Sequence, residues 1–138
     1  MTVETSITIQ RSPEDVFAFL SDPRNDPLWC SRVRSVEPLG DGEYRVMHKP
    51  LRIQPRPYEL RMRRLDAEPP QRLRWEETDR DGTLIVDYLL APTSGGTRFT
   101  QCTDLSGLPA RIRWLARFTI TRHIAQQARA LKEHLERR

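Results

Sequence analysis

The chain ends on residues 111–138, RIRWLARFTITRHIAQQARALKEHLERR, a stretch with no glycine or proline. As a helix it would run roughly 40 Å, longer than most helices of globular domains. Trp114, Phe118, Thr121 and Ala125 follow helical spacing. Ile120, Ile124, Ala128, Leu131 and Leu135 are read as continuing the same side downstream, with Arg122, Gln126, Arg129, Glu133 and Glu136 largely opposite. A helix of this length must lay its apolar side on something wide. The upstream chain therefore has to supply a broad receiving surface.

That surface reads as a sheet. Residues 2–9 alternate, with Val3, Thr5, Ile7 and Ile9 on one face, as in a half-buried strand. Ser12 and Pro13 then open a short helix carrying Val16, Phe17, Phe19 and Leu20, with Glu14 and Asp15 at its positive end. Asp22-Pro23 ends it, and Asp26-Pro27 is read as capping a second short helix with Leu28 and Trp29. Strands are predicted over 33–39, 43–51, 58–65, 72–78, 83–91 and 97–104. Gly40-Asp41-Gly42 marks the first hairpin, AEPPQ, DRDG and PTSGG mark later turns, and the Pro-rich PLRIQPRP leaves the sheet. Strands joined by short turns are antiparallel neighbours. The expectation is an α+β fold: a curved seven-stranded antiparallel sheet around a long C-terminal helix, with two short helices after the first strand.

The 138 residues make one domain, 1–138, large enough to hold itself without a disulfide or metal. No apolar run approaches the length of a membrane span, and the alternating N-terminus is unlike a secretory leader. A cytoplasmic protein with two free thiols, Cys30 and Cys102, is expected. The net charge of +4 comes almost wholly from arginine, since Lys49 and Lys132 are the only lysines. These arginines are interleaved with acids along the chain, which argues against a nucleic-acid arm. Three scattered histidines give no metal-ligand spacing, and no phosphate loop, nucleophile motif or dinucleotide fingerprint points to a cofactor.

The opening strand leading into SPEDVFAFLSDPRNDPLW, the strand TLIVDYLLAP followed by GGTRFTQ, and GLP before the final helix together resemble the START-like, SRPBCC helix-grip superfamily, in particular its polyketide cyclase/dehydrase and lipid-transport-like proteins. The resemblance covers the whole chain. It implies a helix-grip fold with a mostly apolar cavity between sheet and helix, and it leaves the ligand open.

On that expectation the ligand-binding candidates are Trp29, Tyr44, Tyr58, Met62, Trp75, Tyr88, Phe99, Trp114, Arg117 and Phe118, because pockets are concave, apolar and aromatic with few polar groups. The plainer reading is that these residues fill the core. His48 and Glu77 share the inward parity of their strands, and with Tyr88 they are the candidates for moving a proton. The plainer reading of His48 and Glu77 is a place near strand ends, in water. Arg113 or Arg117 could meet an acidic head group at the cavity mouth, and the SGLPA loop could act as a lid. Three functions stay open: a carrier or sensor of a lipid-like, polyketide-like or aromatic molecule; a cyclase or dehydratase working in the same cavity; and an interaction module with a closed cavity, whose partner could be a second copy of itself.

Overall fold

The computed structural model describes residues 1–50 and 58–138. The predicted loop PLRIQPRP and the last residue of the expected 43–51 strand fall on or run into 51–57, outside the described residues. Element order is β1 (Thr2–Ile9), α1 (Pro13–Leu20), a 3-10 helix (Pro23–Leu28), β2 (Val33–Gly40), β3 (Glu43–His48), β4 (Tyr58–Glu68), β5 (Arg72–Asp79), β6 (Gly82–Thr93), β7 (Gly96–Gly107) and α2 (Ala110–Glu136).

The seven strands form one sheet in the order β1-β7-β6-β5-β4-β3-β2, and every neighbouring pair is antiparallel. β1 and β2 are the two edges, so α1 and the 3-10 helix carry the chain from one edge of the sheet to the other. Ser12 caps α1 by accepting the Asp15 backbone N–H at 3.1 Å. The 3-10 helix is capped by Asp22, not Asp26: the Asp22 side chain accepts the Arg24 backbone N–H at 3.0 Å. The β2–β3 hairpin turns through Gly40, Asp41 and Gly42, all at positive φ, which glycine adopts without steric cost. Register shifts in the β2–β3, β4–β5 and β6–β7 pairings are the bulges that let a wide sheet curl.

α2 crosses the concave face. Ile124, Ala128, Leu131 and Leu135 are its buried residues, and Leu131 and Leu135 are each worth about 1.5–3 kcal/mol of buried apolar area. Polar clamps fix its C-terminal end to the end of β1. Lys132 Nζ donates to the Thr8 carbonyl at 2.8 Å, Glu136 accepts the Gln10 backbone N–H at 2.9 Å, and Arg11 donates to the Leu135 carbonyl at 2.9 Å.

The expectation of a single apolar side on α2 is corrected. Trp114 is 61 % exposed and Phe118 58 % exposed, while Ile124 is 2 % exposed. Ten residues separate Trp114 from Ile124, and at about 100° each they fall about 80° short of three whole turns. The helix therefore carries two apolar stripes. The inward one runs through Ile112, Ala116, Ile120, Ile124, Ala128, Leu131 and Leu135. Trp114 and Phe118 belong to the other.

Candidate functional site

Cross-strand register lays out the inner face in rows. Trp75, Val86, Thr103 and Val3 are successive partners across β5, β6, β7 and β1. Leu73, Tyr88, Gln101 and Thr5 form the next row, and Leu90, Phe99 and Ile7 the one beyond. Most of this surface packs on itself. Trp29 lies edge-on to Tyr88 and Phe99 at 5.9 and 6.4 Å, and Tyr44 lies edge-on to Trp75 at 6.0 Å. Four buried polar atoms stand among these apolar groups with no hydrogen-bond partner among the described residues: Trp75 Nε1, Gln101 Oε1 and Thr103 Oγ1 on the strands, and Trp29 Nε1 before β2.

Two polar groups interrupt the interior. The first gathers His48, Tyr58, Arg32 and His123. His48 and Tyr58 are cross-strand partners on β3 and β4, with Nδ1 and the phenol oxygen 2.9 Å apart. On α2 the Gln127 amide N–H donates to His123 Nε2 at 3.0 Å, which leaves the histidine proton on Nδ1. Burial, then the positive charge of Arg32, lowers both histidines, His48 to about 4. Both are neutral at pH 7. Burial raises the Tyr58 phenol.

The second group is acidic and lies deeper. Glu77, opposite Met62 on β4 and Leu84 on β6, is pushed up to about 7 by burial and by Asp79. Asp26 is buried, and its carboxyl is raised well above its ordinary value by burial and by Glu77, against a smaller opposing pull from the Trp29 indole N–H. Burial likewise raises the Tyr88 phenol and the Cys30 thiol, with Asp26 the next cause for each. Near neutral pH the Tyr88 phenol is a hydrogen-bond donor, and Glu77 shares its proton between bound and free. Asp79 acts on both Glu77 and His48, so the two groups sense a common charge.

The structure brings together His48 and Tyr58, and separately Glu77, Tyr88 and Trp29. Met62, Trp75 and Phe99 are buried on the inner face, and Tyr44 is half-buried there. Trp114 and Phe118 do not line this interior, for the angular reason given above. Arg117 does not reach the His48 group either; its guanidinium stacks on the Phe118 ring at 4.6 Å. Sequence reasoning missed Asp26, Arg32, His123 and Gln127. The i, i+4 spacing of His123 and Gln127 on the inward stripe was a usable signal. Arg32 gave none, because it precedes β2 and strand alternation does not apply there. An open cleft of about 480 Å³ lies elsewhere, between α1 and the C-terminal end of α2, lined by residues including Arg11, Phe19, Asn25, His134 and Arg138. Among the described residues no group of three His, Cys, Asp or Glu side chains converges as metal ligands, and no helix is long and apolar enough to cross a membrane.

Residues 1–136 match the family described as polyketide cyclase / dehydrase and lipid transport. The chain belongs to this family. A protein of Rhodobacter sphaeroides of known structure is 26 % identical, with a TM-score of 0.78 over 98 % of this chain and 91 % of its own. Protein CV1439 of Chromobacterium violaceum shares the fold at 20 % identity, TM-score 0.79, over 96 % and 95 %. The di-domain ARO/CYC protein StfQ of the steffimycin biosynthetic pathway does so at 10 % identity, TM-score 0.74, over 96 % of this chain and 49 % of its own. No curated protein matches the sequence.

Proposed function

We propose that this family member binds a hydrophobic small molecule bearing neutral carbonyl or hydroxyl groups, polyketide-like, lipid-like or aromatic, between the sheet and α2, as a carrier in the cytoplasm. The observation that supports this most is the trio of unpartnered polar atoms on Trp75, Gln101 and Thr103, set in an apolar wall. An indole N–H, an amide oxygen and a hydroxyl at fixed places orient a ligand, while Tyr88, Met62 and Phe99 supply apolar contact. Buried Asp26 and Glu77 disfavour an anionic group deep in the interior, which argues for a neutral ligand.

Native mass spectrometry of the purified protein, followed by solvent extraction, tests this reading. The expected result is a discrete mass adduct, or uptake of a neutral aromatic polyketide at one per chain, weakened several-fold by Gln101→Leu. A bare chain that takes up none of a panel of fatty acids, sterols and aromatic polyketides would sink it.

One observation favours a cyclase or dehydratase in the same place: Glu77, brought near neutrality, can accept and return a proton at pH 7. StfQ, the ARO/CYC protein of the same fold, makes that chemistry reasonable to test. If the ligand is consumed, Glu77→Gln lowers kcat by roughly 100-fold with KM little changed. If it is released intact, the carrier reading holds.

A further inference from the structure

Among the described residues, nothing covers the second apolar stripe of α2. Trp114, Leu115 and Phe118 are 61, 66 and 58 % exposed, and all three stand within little more than one helical turn. Trp114 and Phe118 pack edge-on at 6.1 Å, so they form one raised apolar ridge. Arginines surround it. Arg111 and Arg122 are exposed on the same outward side, and Arg117 lies on the Phe118 ring. From Ala110 to Lys132 the helix contains no acidic residue.

These arginines differ from those on the outer face of the sheet. There Arg45 pairs with Glu37 and Glu59, Arg63 with Glu76, and Arg74 with Asp87. Among the described residues, Arg111, Arg117 and Arg122 meet no carboxylate at ion-pair distance. Arg113 is set apart, since its charge falls on Asp104.

We propose that this first half of α2 is a docking face for an anionic lipid bilayer. An exposed aromatic ridge inside an acid-free ring of arginines is complementary to acyl chains beneath negative head groups. Trp114 and Phe118 sit at the interface level, and the arginines reach the phosphates above. A second copy of the chain is disfavoured by the same charges. A twofold helix pair would set Arg111, Arg117 and Arg122 against their own equivalents with no acid on the face to neutralise them. The proposal does not depend on what the interior binds.

Of the three tryptophans, Trp29 and Trp75 are buried and Trp114 is not, so a blue shift on docking that Trp114→Phe abolishes reports Trp114. The test is titration with phosphatidylcholine vesicles, with and without phosphatidylglycerol, combined with flotation. Phosphatidylglycerol vesicles are expected to shift the emission to the blue and to float the protein, and both effects weaken in about 0.5 M salt. Arg111→Gln with Arg122→Gln weakens binding on the order of twentyfold at about fivefold per arginine. Leu115→Ala with Phe118→Ala removes the blue shift while leaving the circular dichroism unchanged. Absence of any shift, equal binding to neutral vesicles, or indifference to both double variants overturns the proposal. So does self-association without vesicles that Phe118→Glu abolishes, since the ridge would then serve a second copy.

Discussion

Glu77 and His48 pull the pH dependence of folding in opposite directions. Glu77 titrates at about 7 in the fold against 4.5 when free. Its contribution is therefore fully present below pH 4.5 and is lost as pH rises to 7, because the unfolded chain ionises first. His48 titrates at about 4 against 6.5, so its contribution is present above 6.5 and is lost as pH falls toward 4. His123 follows His48, and Asp26 follows Glu77. Between pH 4.5 and 6.5 the two losses offset, and the wild-type stability is expected to be nearly flat there. Glu77→Gln removes one side of the balance. The variant gains stability over wild type between about pH 5 and pH 8, on the order of 2 kcal/mol, measured by urea unfolding at both. An identical difference at the two pH values would mean that Glu77 keeps an ordinary carboxylate pKa.

At the scale of the element, α2 separates two kinds of apolar residue that look alike in the sequence. Leu131→Ala should cost about 2–5 kcal/mol in urea unfolding, since its side chain is fully buried. Trp114→Ala should change stability by less than about 0.5 kcal/mol, although tryptophan is far larger. A large loss at Trp114 would mean that the ridge packs inward after all. The strands were legible because alternation has a period of two and forgives small errors of register: Leu73, Trp75 and Glu77 face inward as their parity requires. The helix was harder, because its 3.6-residue period turns a small angular error into about a quarter turn over ten residues. Side chains outside periodic elements could not be placed at all. Arg32 lies between the 3-10 helix and β2, and Asp26 is buried inside a 3-10 turn where sequence alone made it a cap. The inner wall was thus readable, whereas the groups that charge it were only partly so.

At the scale of the whole fold, the apolar core of the described residues divides in two. The larger cluster joins α1, the 3-10 segment, the middle of the sheet and Ala128, Leu131 and Leu135 of α2. The smaller holds Val3, Leu105, Leu108 and Ile124, with Ile112, Ala116 and Ile120 packed on it. His123 and Gln127 belong to the helical stretch where one cluster gives way to the other. The C-terminal half of α2 thus has the larger core and the clamps from Arg11, Lys132 and Glu136, while the N-terminal half rests on a few side chains. Local opening should follow that division, because its free energy rises with the apolar surface that opening exposes to water. In hydrogen exchange of the free protein, amides of 112–120 should exchange on the order of tenfold faster than those of 128–135. A ligand seated between sheet and helix would touch both clusters and tie them together. Saturation should therefore slow exchange in 112–120 more than in 128–135 and narrow the gap. Equal protection along α2 in the free protein would show that the helix opens as one unit and that the smaller cluster is no weaker a hold than the larger.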